Sequence, residues 1–515
     1  MLCQLLHRGL SFLWILMLLW GCQQKHSQEN TASNEGEQLA KQYCASCHVF
    51  PEPSLLPKNI WLQKVLPNMA TRLGIQRGYA YYKLEPDDMQ AVINAHIIPE
   101  QPVLPVEDMM KIVKYYEKNA PEKPIVQQRT IESTPDLKLF SVKKGDSQLK
   151  STQNVLIKPF ESEQKILFGF EDKGAFVYDI QTKKYQPVIK GIATDACVWN
   201  NKLYLLDLIS VQAHNLPKDK IWDLGWQNGQ VVGTPKNLNI NLIRPVSMDV
   251  ADINKDQKPD FVVAEFGDYL GKLSLYLSSE KGFQELVLKL NPGASKVYFR
   301  DMNNDGLLDV VALMSQGKEE VCIFLSQGDD KFTEKKIIEF PPSYGSNIMR
   351  LVDFNHDGLL DILMTNGDNA DMSSSLKAYH GVRLLINSAN LAFKQKWFYP
   401  VHGASDVVAA DFDQDGDEDL AIIAHFPDFE QKNDENFVYF RNDGNFKLTP
   451  MKFSKPLNGG LLTLAKMDVD KDGDIDLLVG NYLDFLTNPS NDLVEQWGEE
   501  KNNWWILENT TKKKK

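Results

Sequence analysis

Very little of this chain is continuously apolar. Leu10 to Trp20 forms one such run, too short to span a bilayer as a permanent helix. No second long apolar run follows, so the chain downstream is expected not to cross a membrane. Positive charge is also scarce. The 56 Lys and Arg against 69 Asp and Glu leave a formal net charge of −13. That balance excludes nucleic acid as a partner, because a phosphate backbone demands basic surface. Cysteine is rare, six in 515 residues, which excludes a disulfide scaffold. Two of the six, Cys197 and Cys322, lie in apolar strand-like runs and read as buried small hydrophobes. Once the first segment is set aside, about 490 residues remain, enough for two or three domains with large cores.

What is there begins at Cys44-Ala45-Ser46-Cys47-His48. Two thiols at this spacing can add across the vinyl groups of one haem, and the adjacent histidine can ligate its iron. A zinc site would need a second ligand pair nearby, and none follows. A thioredoxin-like pair belongs at a strand end, whereas this one follows a helix-like run from Glu37 to Tyr43. Upstream, Arg8 precedes the apolar run, which closes Leu18-Leu19-Trp20-Gly21-Cys22. This resembles a bacterial lipobox. The resemblance implies a signal peptide at 1–21, cleavage before a lipidated Cys22, and anchoring to the outer membrane, on its periplasmic side or at the cell surface. Membrane contact would be by the lipid anchor only. Residues 22–35 are polar and read as a flexible tether.

Residues 36–120 resemble a small class I cytochrome c domain. That implies a helix opened by Gly36, crossing a closing helix from Val106 to Tyr116, with Tyr115 or Tyr116 packed on the glycine. For the open side of the iron the candidates are Met69, Met89, His96, Met109 and Met110. Met109 and Met110 sit on the closing helix and read as packing residues. Met69 is favoured, because Val65-Leu66-Pro67-Asn68-Met69 reads as a proline-anchored loop. Met/His ligation would make the domain an electron carrier. Residues 121–135 read as a linker.

The rest of the chain repeats. Five nonapeptides carry oxygen side chains at positions 1, 3, 5 and 9: Asp252, Asn254, Asp256 and Asp260; Asp301, Asn303, Asp305 and Asp309; Asp353, Asn355, Asp357 and Asp361; Asp411, Asp413, Asp415 and Asp419; Asp468, Asp470, Asp472 and Asp476. Four have glycine at position 6, and the first has Gln257 there. Alternate oxygens around a tight turn are what calcium requires. Each loop runs into a strand-like segment rather than an EF-hand helix. Loop starts lie 49, 52, 58 and 57 residues apart, the length of a four-stranded blade. This resembles the VCBS/FG-GAP repeat family of β-propellers over 240–508. Residues 136–240 fit two further blades without metal loops, which makes seven. The expected fold is therefore multidomain, a small all-α class I cytochrome c domain followed by an all-β seven-bladed propeller at 136–511. Four to five Ca²⁺ would offset the 17 loop aspartates at ligand positions.

Two further expectations concern the propeller. The last blade lacks an outer strand, and Leu137 to Val142 is the best donor, pairing beside Trp504 to Leu507. Three blades carry long polar and aromatic loops at one point, so they should crowd one face, with Asp368, Asp371, Tyr379, His380, His425 and Asp484 as candidate ligand contacts. No catalytic set accompanies them. The expected function is extracytoplasmic electron transfer by one haem c, fused to a calcium-stabilised propeller that binds a redox partner protein or a polysaccharide. The alternatives are a haem-linked periplasmic oxidoreductase with its substrate site on the propeller face, or an adhesion or polysaccharide-binding module.

Overall fold

The computed structural model describes residues 35–75, 84–146, 148–369, 375–483, 495, 497–498 and 502–511. The signal segment, nearly all of the tether with Cys22, and the candidate contacts Asp371 and Asp484 lie outside the described residues. No helix among the described residues is long and apolar enough to cross a membrane. The chain divides into two compact units. One takes residues up to Lys83 and His96–Lys123; the other takes Leu84–Ala95 and everything from Pro124.

The first unit is helical. A helix at 35–44 leads into the Cys-x-x-Cys-His segment, a helical run follows from Lys58 to Arg72, and Val106–Asn119 closes the unit. A Cβ on Gly36 would overlap the Lys111 carbonyl and press on Tyr115 Cβ at 3.1 Å. Only glycine lets these two helices come so close, as expected of the crossing. Beneath the crossing, Trp61 and Tyr116 pack with ring centroids 4.4 Å apart, among buried Ala40, Leu66 and Ile112. The indole donates to Pro53 O at 2.9 Å and the Tyr116 hydroxyl to Pro51 O at 2.8 Å. One expectation fails here. Met69 lies inside the α-helix Leu66–Arg72, not on a proline-anchored loop. Pro67 lacks the N–H an α-helix would use, but a π turn at Trp61–Val65 precedes it, with Leu66 N–H donating to Trp61 O. The wider turn admits the proline without ending the helix.

The sequence span 36–120 is interrupted, because helix Pro86–Asn94, with Met89, falls in the second unit. Its buried Asp88 explains why. The carboxylate accepts the backbone N–H of Asn215 and, at 3.1 Å, the Asn215 side-chain amide. Asn215 Oδ1 in turn accepts Tyr269 N–H at 2.7 Å and Leu270 N–H at 2.6 Å.

The rest of this unit is seven four-stranded antiparallel sheets, at 154–189, 192–237, 245–289, 294–340, 346–400, 404–451 and 461–509. The two blades without Asp loops come first, as expected. Each inner strand packs on the inner strand of the next blade, and Leu461–Met467 packs on Asn154–Phe160, so the ring is closed. Every inner strand carries a register shift near its start, which turns the strand toward the axis. The axis itself is filled by charge pairs: Lys158 and Lys296 reach Asp195 at 3.2 and 3.4 Å, and Arg350 reaches Asp406 at 2.8 Å. Burial alone would raise the Asp195 carboxyl, but the two lysines and backbone N–H groups hold it well below the usual range.

A closing strand forms against the last strand as expected, but three residues later than expected, because Leu137 N–H donates to Lys452 O at 3.1 Å beside the outer strand of blade six. Phe140–Lys144 pairs antiparallel with Trp504–Asn509, from Phe140 opposite Asn509 to Lys144 opposite Trp505. Before it, the supposed linker is half built into the propeller. Arg129 lies buried in a two-pronged pair with Glu435, 2.5 and 2.8 Å, over the Tyr399 ring at 5.1 Å. Gln127 donates to His380 O at 3.1 Å. Thr134 adds a parallel bridge to Met451 at the outer edge of blade six.

Candidate functional sites

Cys44 ends the helix 35–44. Nucleophilic thiols in redox pairs gain from a helix N-terminus, whereas the C-terminal end of the dipole disfavours a thiolate. Burial pushes the Cys44 thiol up to about 11, with Tyr116 beside it. Cys47 is exposed and His48 half-buried. His48 Nδ1 lies 2.9 Å from Val49 O. A carbonyl can only accept, so Nδ1 carries the proton and the lone pair falls on Nε2. Two thiols and an oriented Nε2 within five residues are a donor set that fits a covalent haem. For the other side of the iron, Met109 is buried in the core, in line with its reading as a packing residue, whereas Met110 is 50% exposed and does not pack there. Met69 is half-buried, His96 exposed, and Met89 belongs to the other unit.

The five Asp loops share one conformation. The first aspartate accepts the N–H of position 6 in every copy, at 2.8 to 3.1 Å. Gln257 adopts a left-handed φ of 66° where the others have glycine, so the first loop keeps its shape at a steric cost. The ninth residue is fully buried in all five. In Asp309, Oδ2 accepts Met302 N–H at 3.0 Å and Oδ1 accepts Ser326 N–H at 2.9 Å. That carboxylate fastens its loop to the third strand of the blade.

The loops are not equivalent. In the second and third, the asparagine at position 3 donates to the aspartate at position 5, Asn303 to Asp305 at 2.8 Å and Asn355 to Asp357 at 2.9 Å. The last two loops have aspartate there. Carboxylate oxygens of Asp411, Asp413 and Asp419 lie within 4.8 Å of one another, as do those of Asp468, Asp470 and Asp476. Asp413 Oδ1 and Asp468 Oδ1 are buried without a hydrogen-bond partner. Burial pushes Asp419 and Asp476 up to about 7, a load that a bound cation would relieve. This donor set fits calcium. Blades one and two invert the arrangement: the first residue of the second strand is Lys165 or Lys202. Lys165 pairs with Asp179, and Lys202 with Asp223 at 2.9 Å.

Strand directions separate the two kinds of loop. Asp loops join first to second strands, while the long loops of blades five to seven join second to third strands, so they emerge on opposite faces. The long loops share one face as expected, but their residues are not open contacts. His380 is fully buried and neither ring nitrogen has a hydrogen-bond partner; His425 is 5% exposed with Nδ1 unpartnered. Asp368 and Tyr379 are half-buried, Tyr379 stacked on Tyr344 at 4.4 Å. The reason is that the chain folds its loop ends inward: Val401 N–H donates to His380 O at 3.1 Å and His425 N–H to Gly403 O at 2.9 Å. Burial drops His402 and His425 to about 4, and His380 well below its ordinary value. These imidazoles are neutral.

Sequence reasoning missed a glycine on this face. Gly293, Gly345, Gly403 and Gly460 each stand eight residues before the first aspartate of a loop. A Cβ on Gly403 would overlap the Phe426 backbone, and its φ is 64°. The constant spacing was the available signal.

No curated protein matches the chain. Among solved structures, the β-propeller domain of Cps50 (Swd1) from Myceliophteria thermophila is 11% identical with a TM-score of 0.44, covering 71% of this chain and 99% of that one. Residues 252–312 and 301–364 each match the FG-GAP-like repeat. The seven-bladed propeller therefore carries FG-GAP-like repeats.

Proposed function

We propose that this protein is an extracytoplasmic electron carrier in which one haem c, held by Cys44, Cys47 and His48, is joined to a calcium-stabilised binding propeller. The observation that carries the haem is the Cys-x-x-Cys-His segment at a helix C-terminal end, with Nδ1 of its histidine engaged by Val49 O and the Cys44 thiol pushed up rather than down. That favours thioether formation over a dithiol redox pair. When bound, the haem would supply one-electron transfer. The protein's own part would be to fix the His48 tautomer through Val49 O. Met69 would supply the second protein ligand to the iron. Repeats of the FG-GAP type on a propeller suggest a binding or adhesion module, and its partner is proposed to be a redox protein or a polysaccharide. Calcium is proposed in four to five loops, held most firmly by 411–419 and 468–476. Lipidation of Cys22 would place the protein at the outer membrane.

Expression with a haem-attachment system tests the reading. Wild-type protein should keep its haem through acidified-solvent extraction, whereas the Cys44→Ala, Cys47→Ala double variant should release all of it. Haem retained by the double variant, or absent from wild type, refutes it. Met69→Ala should abolish the sulfur-to-iron charge-transfer band of the oxidised protein; a surviving band removes Met69.

A further inference from the structure

Blade six has the shortest outer strand of the ring, Leu448–Met451, four residues. Past it, residues 452–460 cross to blade seven without regular structure. At the rim between the two blades lies an open groove of about 280 Å³. Buried Leu457 and Trp505 line it, with half-buried Phe453 and the exposed Val142 and Pro456. Its aromatic walls are braced. The Trp505 indole donates to Asn458 O at 3.2 Å, and Phe453 stacks on Phe437 with centroids 5.3 Å apart. The groove is therefore formed before anything enters it. Its volume lies below the roughly 300–1,000 Å³ of small-molecule sites and suits one large side chain.

Two features around the groove say what kind of chain brings that side chain. The first is charge. Exposed Lys144 holds its Nζ 5.9 Å from the Trp505 ring centroid, and exposed Lys455 lines the groove itself. On the adjoining segments Glu508 is engaged by Lys143, and Asp434 by Lys452 at 2.7 Å. A basic border around an apolar slot, in a chain of net charge −13, selects an apolar residue with acidic neighbours. The second is a sheet edge. Phe140–Lys144 is the end strand of blade seven and is exposed after Phe140. Its outer edge carries no strand among the described residues, and Val142 puts that edge at the groove. An extended chain pairing there gains backbone hydrogen bonds while one of its side chains turns into the groove.

We propose that this rim binds an extended acidic segment of a partner protein, added as a fifth strand to blade seven with one large apolar side chain in the groove. A second copy of the same edge would set Lys143 and Lys144 against their like, so pairing between copies is disfavoured. This inference rests on the reading of the propeller as a binding module and names where a protein partner engages it.

The test uses the full chain and a panel of capped heptapeptides of alternating Val and Thr, with a central Leu, Phe or Trp flanked by Glu or by Lys, read by fluorescence anisotropy. The Glu-flanked peptides should bind, the Lys-flanked ones about tenfold more weakly or less, and hydrogen exchange at 140–144 should slow on binding. Val142→Glu should abolish binding, and Lys144→Glu with Lys455→Glu should reverse the charge preference. All three side chains are exposed, so the melting temperature should stay unchanged. Peptide binding that survives both variants overturns this site. A medium-chain fatty acid that displaces the peptide, or self-association lost on Val142→Glu, assigns the groove to an amphiphile or a second copy and overturns the peptide assignment. Failure of every peptide to bind also overturns it, and a glycan array read with the same protein then shows whether the module reading stands without it.

Discussion

On one face of the propeller, five loops present carboxylates to solvent, and their ninth residues fasten the loops to the blades from inside. On the other face, burial keeps three imidazoles neutral, and the buried Glu435 carboxylate is matched by the Arg129 guanidinium. The same strands support both. The first face would gain stability from a cation that offsets its carboxylates, whereas the second holds titratable rings that burial keeps from taking up protons. They should therefore respond to different variables, cation concentration on one side and proton concentration on the other.

Calcium removal is expected to have the largest effect. Each occupied loop contributes about 2.7 kcal/mol at a hundredfold excess over its Kd, so a chelator should lower the melting temperature steeply and restored calcium should reverse it. A melting temperature indifferent to both would erase the contrast. Next comes the buried fastening. Asp309→Ala leaves the Met302 and Ser326 N–H groups without their acceptor, and should cost roughly 3 kcal/mol by urea denaturation. A loss below about 1 kcal/mol would mean those N–H groups find water.

Acid probes the opposite face. The folded-state value of His425, about 4, lies below its ordinary 6.5. The unfolded chain therefore takes up the proton first, and stability is lost as pH falls from 6.5 toward 4. At saturating calcium the share of the loss between pH 7 and pH 5 that belongs to His425 should be about 2 kcal/mol, and His425→Gln should reduce the slope by that share, leaving the part due to His380 and His402. An unchanged slope would assign the acid response elsewhere. The smallest effect sharpens the contrast between blades. Lys202, half-exposed where later blades bury aspartate, should cost less than about 1 kcal/mol when changed to alanine.

The blade number and the closing strand could be read because each rests on a periodic signal, the repeated nonapeptide and a last blade one strand short. The Gly36 crossing followed from a resemblance and holds in the geometry. Met69 was misread because proline is a helix breaker locally, and the π turn that accommodates it depends on packing at Trp61. The stretch after Pro121 has a linker's composition, yet Arg129 finds a buried partner 306 positions away, which no local pattern announces. The long loops were legible as loops and as sharing a face. That His380 and His425 turn inward depends on backbone bonds between non-adjacent segments, such as His425 to Gly403.

The pairing of the closing strand also sets a clock on synthesis. Lys143 meets Glu508 across 365 positions, so one partner is made near the beginning of the propeller and the other at its end. Until the last strand is released, the first must wait with an unpaired edge, and blade seven stays incomplete. Completion of blade seven must therefore await the last strand, at a loop-closure entropy that grows only slowly with length. A chain that stops short of residue 504 leaves blade seven with two strands and Phe140–Lys144 without its partner, an exposed edge prone to pairing with another chain.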